Sequence, residues 1–341
     1  MKIAIYCPLN ASAELQEYSR RIHSYLLHQN IHVHLLNEHS PLPEDADIYW
    51  DATCAEAQAP FIGTAKCNRE WLEAHAEKIC ITLHSANLFA LPPRSYAKSL
   101  ISLICTIKAR WQRRRFWQTF KAYHTLITVS EYARHQITDL AKLTARHIEV
   151  IHQGVDHTIC KPSCEGEDRK NPYLLHISND EPLKNVDRLI EAYRAIERPN
   201  KPMLRLIVPN ARRKIDDAKI EVIDAPQNQE ALVAQYQGAM GFVFPSLVET
   251  FAMPIITAMA CGCPVVTSNS SGCAEVAGDV ALMVDPYSLK SIQAALEILI
   301  DSPESRHSMR QKGIVWADQF AWNNTGLMHL DIFERMVRKP S

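Results

Sequence analysis

Short runs of apolar residues alternate along the chain with longer amphipathic stretches. The first half contains six such runs, KIAIYC, HVHLL, DIYWD, ICITLH, LITVS and IEVIH. The second half contains six more, YLLHIS, LRLIVP, IEVI, GFVFPS, PVVTS and ALMVD. Helical spacing of apolar residues lies between most of them, as at 12–28, 131–142, 185–198 and 287–301. This alternation predicts an α/β fold with parallel sheets covered on both faces, in two doubly wound domains.

A polar segment separates the two series. Residues 160–172, CKPSCEGEDRKNP, contain two prolines and a glycine and show no apolar period, which is typical of a linker. We therefore predict a first domain over 1–165 and a second over 166–320. An amphipathic helix at about 321–338 must pack against one of them, and the first domain is a candidate. Because ligands of open α/β sheets bind beyond the carboxyl ends of the strands, we expect the site in a central cleft faced by both domains.

Composition and charge exclude several classes of protein. The 341 residues are 47% hydrophobic and 22% charged, the balance of a soluble globular chain rather than a disordered one. The formal net charge of −1 provides no overall field for nucleic acid, so no nucleic-acid partner is expected. The opening MKIAIYCPLN is expected to form a buried strand rather than a targeting signal, and no apolar run is long enough to cross a bilayer. We expect a cytoplasmic protein.

Ten cysteines are present, but they form no pair of C-x2-C hooks. His157, Cys160 and Cys164 offer donor atoms for a metal ion. The simpler interpretation is that the cysteines are small buried hydrophobes in a reducing compartment, and we favour it. No metal site is therefore predicted.

The segment GFVFPSLVETFAMPIITAMACG has the pattern of a strand, a loop and a helix. Pro254 suits the first helical turn and Gly262 suits the helix end. Free backbone amides at a helix start attract phosphates. Glu249 precedes that start, where a carboxylate can accept hydrogen bonds from sugar hydroxyls or simply complement the helix dipole. The spacing alone leaves both interpretations open.

The longer segment FPSLVETFAMPIITAMACGCPVVTSNSSGCAEVAGDVALMVDP resembles the donor-binding region of retaining glycosyltransferases with the GT-B fold, glycosyltransferase family 4 (group 1). That family has Pro-Ser, two residues, Glu-Gly-Phe-Gly, and a second glutamate eight positions after the first. The segments LITVSEYARHQI, IEVIHQGVDHTICKP and SNDEPLKNVDRLIEAY are similar to further family segments. The resemblance spans nearly the whole chain.

The resemblance implies two Rossmann-like domains, with a nucleotide-sugar donor on the second and a glycan or lipid-linked acceptor on the first. It also implies retention at the anomeric carbon, no required metal, and no cofactor, since the nucleotide sugar is a substrate. Lys184 matches the lysine that contacts donor phosphates, and His84 matches a histidine that contacts the transferred sugar. Glu249 matches the first glutamate. The candidate catalytic residues are thus His84, Lys184 and Glu249, although a solvated Lys184 and a structural His84 are the simpler alternatives.

Several positions depart from the family pattern. The Gly-Phe-Gly loop is Thr250-Phe251-Ala252 here, and the second glutamate, expected to grip the ribose, is Thr257. Many members carry an arginine at the position of Leu183 and another near the position of Ser178, and this chain has neither. The candidate donor-binding residues are Ser178, Lys184, Glu249, Thr250, Phe251, Ala252, Met253 and Thr257. The resemblance still implies a retaining glycosyltransferase. These departures are the support for the alternative hypothesis, a non-catalytic GT-B partner or binding protein with a degraded donor site.

Two further segments suggest contacts with other molecules. Asn10, Ala11 and Ser12 occupy the turn where similar enzymes carry a glycine-rich loop near the acceptor, although an Asn or Ser helix cap is the preferred interpretation. Residues 108–121, KARWQRRRFWQTFK, concentrate basic and aromatic side chains in one predicted helix. Such a helix suits an anionic membrane surface at the inner face of the cell membrane, or is an amphipathic helix with snorkelling arginines. Both interpretations stay open.

Overall fold

The computed structural model describes residues 1–54, 61, 68–85, 87–89, 92–96, 99–119, 125–141, 148–163, 172–199, 201–209, 215–224 and 226–338. The chain divides into two compact units. The first contains Met1–Gly154 and Trp322–Ser341, and the second contains Val155–Ala321.

The first unit is built on a parallel six-stranded sheet. Its strands are β1 (Lys2–Tyr6), β2 (His32–Leu36), β3 (Ile48–Cys54), β4 (Ile79–Leu83), β5 (Thr125–Thr128) and β6 (Ile148–Val150). They lie in the order β2-β1-β3-β4-β5-β6. The helices are α1 (Ala13–His28), α2 (Arg69–Ala74), α3 (Leu100–Thr119) and α4 (Glu131–Ala141). Central strands β3 and β4 are buried along their whole length, which explains why most of their residues are apolar.

The second unit repeats this architecture. Its strands are β7 (Tyr173–Ile177), β8 (Met203–Ile207), β9 (Ile220–Ile223), β10 (Gly241–Phe244), β11 (Val265–Ser268) and β12 (Leu282–Val284). They lie in the order β12-β11-β10-β7-β8-β9, all parallel. The helices are α5 (Val186–Arg194), α6 (Gln229–Gly238), α7 (Met253–Ala260), α8 (Ser271–Ala277), α9 (Leu289–Asp301) and α10 (Pro303–Ala317). All twelve predicted strands are present, and the predicted α/β class is confirmed.

The order of the second sheet positions the candidate site. Strand β7 pairs with β8 on one side and with β10 on the other, so the progression of the chain reverses between β7 and β10. This is the topological switch point, where the loops from adjacent strands diverge and leave a crevice at the carboxyl edge. The loops after β7 and β10 carry the candidate donor residues.

The last helix, α11 (Trp322–Arg338), belongs to the first unit and packs against α1. The Tyr18 hydroxyl donates a hydrogen bond of 2.7 Å to His329 Nε2, because His329 Nδ1 donates to the Thr325 carbonyl. The Phe333 ring lies 5.4 Å from the Trp50 ring. This buried aromatic cluster anchors α11 to the sheet.

The division between the units lies earlier than the predicted boundary at residue 165. The Val155 amide donates to the Phe320 carbonyl at 2.8 Å, and Val155 pairs with Ala321, so these backbone contacts place the chain after Gly154 in the second unit. Residues 164–171 of the predicted linker lie outside the described residues. In the described part of the chain, no helix has the length and apolar character needed to span a membrane.

Candidate functional site

The loop after β7 holds Lys184 in a fixed position. A short 3-10 turn, Pro182–Lys184, is followed by Asn185 in the left-handed conformation, with φ of 59°. The buried side-chain amide of Asn185 donates hydrogen bonds to the Pro245 and Pro286 carbonyls, at 2.9 and 2.7 Å. Asparagine tolerates this backbone conformation better than most residues. It therefore connects the Lys184 turn to the loop after β10.

Lys184 and Glu249 form an ion pair between the two loops. The Lys184 Nζ donates to Glu249 Oε1 at 2.6 Å, with Glu249 buried and Lys184 partly buried. Burial acts to lower the pKa of Lys184, but the Glu249 charge and hydrogen bond together raise that pKa above its ordinary value. Lys184 therefore carries a positive charge at the switch point.

Ser246 supports the carboxylate of this pair. Its buried hydroxyl lies 2.7 Å from Glu249 Oε1 and 2.9 Å from the Leu183 carbonyl, so its single proton serves either acceptor. The Glu249 amide donates to Ser271 Oγ at 3.2 Å. Glu249 is thus held on both sides by residues of the second unit.

The loop Thr250-Phe251-Ala252 keeps a backbone shape that normally needs glycine. Ala252 adopts φ of 60° and ψ of 57° at the N-cap of α7, and Pro254 lies in the first turn as predicted. Left-handed backbone costs an alanine roughly 1–2 kcal/mol. The Phe251 ring is buried 6.0 Å from the Phe320 ring. The Phe251 side chain, a candidate donor contact, therefore packs within the second unit. The Thr250 carbonyl lies close to a residue of α8.

That neighbour is Gly272. A Cβ atom there would lie 2.2 Å from the Thr250 carbonyl oxygen, and the Gly272 amide donates to the Glu249 carbonyl at 2.8 Å. The start of α8 can approach this loop only because residue 272 has no side chain. Gly272 thus fixes the backbone that carries Glu249.

Thr257 occupies the position of the second carboxylate of the family pattern, inside α7. Its hydroxyl donates to the Met253 carbonyl one turn earlier at 3.0 Å, and the side chain is half-buried. Met253 is likewise half-buried at the first position of α7. Ser178 lies after β7, where its hydroxyl is 2.8 Å from His176 Nε2 and 2.9 Å from the Asn179 carbonyl. Thr257 and Ser178 therefore have contacts to their own unit that a donor would have to share.

His84 follows β4 in the first unit and is buried. Its Nε2 donates to the Ala52 carbonyl at 2.8 Å, so its Nδ1 accepts from Gln153 Nε2 at 3.2 Å. Burial lowers the pKa of His84 to about 4, which keeps the ring neutral. Both ring nitrogens are thus bonded within the first unit, and the predicted sugar contact requires one of them to exchange its partner.

The predicted acceptor turn lies at the carboxyl end of β1. Ser12 is the N-cap of α1, with its hydroxyl 3.4 Å from the Leu15 amide, whereas Asn10 is exposed and Ala11 is half-buried. A cavity of about 280 Å³ lies at this turn. It is lined by Cys7, Pro8, Leu9, Gln16, Ser19, Arg20, Leu35, Leu36 and Asn37.

Two of the three candidate metal ligands, His157 and Cys160, lie in the described part of the chain. Cys160 is buried and its thiol contacts Cys261, while Cys164 lies outside the described residues. Among the residues that the structure describes, no three His, Cys, Asp or Glu side chains are grouped to hold a metal ion. The contact with Cys261 fits the interpretation of Cys160 as a small core residue.

Comparison with known proteins finds a family match for the second unit. Residues 162–316, nearly the whole second unit, match the family model described as glycosyl transferases group 1. The second unit is a group 1 glycosyltransferase domain. The resemblance drawn from the sequence is confirmed.

Sequence relatives agree with this assignment, and a solved structure agrees in fold. The chain is 26% identical over 273 residues to the O-antigen chain mannosyltransferase B of Escherichia coli, covering 74% of this chain and 69% of that protein. It is 28% identical over 255 residues to the MMP alpha-(1->4)-mannosyltransferase of Mycolicibacterium hassiacum, covering 68% and 61%. The Anabaena protein HepE, solved in complex with UDP and glucose, aligns with a TM-score of 0.65 at 13% identity, covering 98% and 100%. The fold is that of GT-B glycosyltransferases.

Three residues of the glycosyltransferase domain were missed by sequence reasoning. Asn185, Ser246 and Gly272 position Lys184, Glu249 and the loop between them. Asn185 adjoins Lys184 and Ser246 belongs to the Pro-Ser pair of the family pattern, so proximity to the motif was an available signal. Gly272 carried only the weak signal of a glycine inside a helix, where it costs stability unless something packs closely.

Proposed function

We propose that this protein transfers a hexose from a nucleotide-sugar donor to a glycan or lipid-linked acceptor, with retention of the anomeric configuration. The observation that carries the proposal is the Lys184–Glu249 pair of 2.6 Å at the switch point of a group 1 glycosyltransferase domain. A cation and a carboxylate placed there suit the two parts of the donor, its diphosphate and its sugar hydroxyls.

Lys184 has the charge that the departing diphosphate needs. An ammonium has three N–H donors, so Lys184 can keep Glu249 as one partner and turn the others to phosphate oxygens. Charge that builds on the leaving group in the transition state is then offset by a preorganised cation and by the backbone amides at the start of α7. We propose that this stabilisation replaces a metal ion.

Glu249 is placed to orient the sugar. Its Oε1 faces Lys184 and Ser246, and the Oε2 atom of the same carboxylate is proposed to accept hydrogen bonds from sugar hydroxyls. Positioning and leaving-group stabilisation together are the means of catalysis we propose. Mannose is the first sugar to test, because the Escherichia coli relative described above is a mannosyltransferase.

The first unit is proposed to hold the acceptor. The cavity of about 280 Å³ at the β1 turn is lined by both polar and apolar side chains, among them Arg20, Asn37 and Leu9. Such a mixed lining suits a sugar attached to an apolar carrier. We also propose that the protein works in the cytoplasm, peripherally on the inner face of the cell membrane.

Calorimetry with UDP, GDP, UDP-glucose and GDP-mannose, followed by donor hydrolysis assays, tests the donor proposal. We expect one donor to bind and to be hydrolysed slowly, with weaker binding in Lys184→Ala. NMR of the anomeric proton in a product tests retention. Absence of binding and hydrolysis for the whole panel would favour the non-catalytic alternative.

A further inference from the structure

One face of α3 exposes a row of large apolar side chains. Leu100, Ile104, Ile107 and Trp111 recur at spacings of four, three and four residues, which places them on one side of the helix. Each is more than half exposed, from 51% for Ile107 to 73% for Leu100. Scattered exposed apolar residues are ordinary, but a continuous row of this kind marks an interaction surface. We call these four residues the α3 stripe.

Basic side chains border the α3 stripe. Lys108, Arg114 and Arg115 are exposed on the same helix, and the Arg115 guanidinium lies 5.3 Å from the centre of the Trp111 ring. The helix Leu100–Thr119 contains no Asp or Glu in its sequence. Its outward face is therefore apolar at the centre and positive at the sides.

Not every arginine of this helix belongs to that face. The Arg110 guanidinium lies over the Phe89 and Tyr96 rings, at 5.9 and 5.4 Å from their centres. Arg110 thus packs toward its own unit, as a snorkelling side chain does. The exposed surface of α3 differs from the predicted basic segment 108–121. Its apolar part begins earlier, at Leu100, and its basic part lies near Arg115. Residues 120 and 121 lie outside the described residues.

We propose that the α3 stripe inserts into the interfacial layer of an anionic membrane, with Lys108, Arg114 and Arg115 contacting lipid phosphates. The apolar side chains lie at the boundary between headgroups and acyl chains, and the flanking cations contact anionic headgroups. The absence of acidic residues from the helix sequence fits a negatively charged partner. The inference rests on the proposed function only in that a lipid-linked acceptor would be presented at such a surface.

Vesicle co-sedimentation tests the proposal on the full chain. We expect binding to vesicles of phosphatidylcholine with phosphatidylglycerol, and much weaker binding to phosphatidylcholine alone. Ile104→Ser/Ile107→Ser should weaken binding by about tenfold or more, because two inserted side chains are lost. Lys108→Gln/Arg114→Gln/Arg115→Gln should weaken it by roughly fivefold for each charge at low salt, and less at high salt.

Matched controls lie elsewhere on the surface. Val315→Ser/Leu327→Ser removes two comparably exposed apolar side chains, and Lys290→Gln/Lys312→Gln removes two exposed charges. Neither control should change vesicle binding. Donor calorimetry without lipid should be the same for all these variants and the wild type, which separates failure of the membrane proposal from failure of the donor proposal.

Three outcomes overturn the inference. The first is equal vesicle binding by the stripe variant and the wild type. The second is concentration-dependent self-association in analytical ultracentrifugation that the stripe variant abolishes while no vesicle binding occurs, because the partner is then a second copy. The third is RNA binding without vesicle binding that depends on Arg114 and Arg115, because the surface then serves nucleic acid.

Discussion

The Lys184 ammonium nitrogen lies 2.6 Å from Glu249 Oε1 and joins the loops that follow the adjacent strands β7 and β10. The two residues are far apart in the chain, and only the reversal of strand order between β7 and β10 brings their loops together. A pair at this position links the stability of the second unit to its proposed chemistry. Changing either residue should therefore have two separable effects.

Lys184→Met should weaken donor binding and also destabilise the second unit. Loss of a charged hydrogen bond to phosphate predicts about 10–100-fold weaker binding, and Glu249 left without its cation predicts a loss of about 1.5–3 kcal/mol in stability. Adding Glu249→Gln should restore much of the stability, since no buried charge is then unpaired, but not the affinity. Calorimetry and urea unfolding measure the two effects, with Lys290→Met as the exposed control. Unchanged donor affinity would remove Lys184 from the site.

Ala252→Gly should stabilise the second unit by about 1 kcal/mol. Ala252 has φ of 60°, a conformation in which glycine avoids the steric cost of a Cβ atom. Ala234→Gly, at an exposed position inside α6, should instead destabilise by about 1 kcal/mol. Urea unfolding of both variants checks the difference in sign. A loss of stability in Ala252→Gly would mean that its backbone is not strained.

The periodicity of apolar residues was sufficient to predict the strands and the two doubly wound units, because parallel strands buried on both faces need short apolar runs. The motif pattern also indicated Lys184 and Glu249 as candidates. It did not indicate their direct contact, or the role of Asn185, whose amide reaches the Pro286 carbonyl. Such contacts depend on which loops the sheet order makes neighbours. Likewise, the bond from His84 to the Ala52 carbonyl joins strand ends that the sequence does not align.

Thr257→Glu should strengthen binding of a nucleotide-sugar donor. A carboxylate one turn into α7 would accept hydrogen bonds from the ribose hydroxyls. A charged hydrogen bond of about 1.5–3 kcal/mol corresponds to a roughly 10–150-fold gain in affinity. Thr257→Gln is the control, because it has similar length without charge. Calorimetry with the preferred donor measures both variants. Equal affinities for wild type and Thr257→Glu would indicate that the ribose does not lie near this position.

Asp51 should make the first unit less stable as pH rises through about 6. It is buried in β3, where its oxygens accept from the Phe61 amide at 2.6 Å and the Thr53 amide at 3.0 Å. Burial raises the pKa of Asp51 to about 6, despite these hydrogen bonds. The protonated form is therefore favoured in the folded state. The contribution of Asp51 to the stability of the first unit is complete below its pKa in the unfolded chain, near 3.9. This contribution is lost as the pH rises past 6.

Asp51→Asn isolates this contribution. The stability of the variant relative to wild type should rise between pH 4 and pH 7, by about 3 kcal/mol at most. Urea unfolding at several pH values measures the difference in stability between the variant and the wild type. Only the change of this difference with pH is used, so a constant difference between the two proteins does not matter. A difference that stays constant over this window would show that Asp51 ionises with its ordinary pKa.

His84 and His329 should act in the opposite direction. Burial lowers the pKa of each to about 4, so both rings stay neutral in the folded protein while the unfolded chain takes up protons near pH 6.5. Their contribution is present above pH 6.5 and is lost as pH falls toward 4. The fall should be clearest in Asp51→Asn, where the opposing group is absent. NMR titration of the imidazole signals should find neither ring protonated above pH 5. A His84 that titrates near 6.5 would instead place that ring in contact with water, and would favour its predicted role at the sugar.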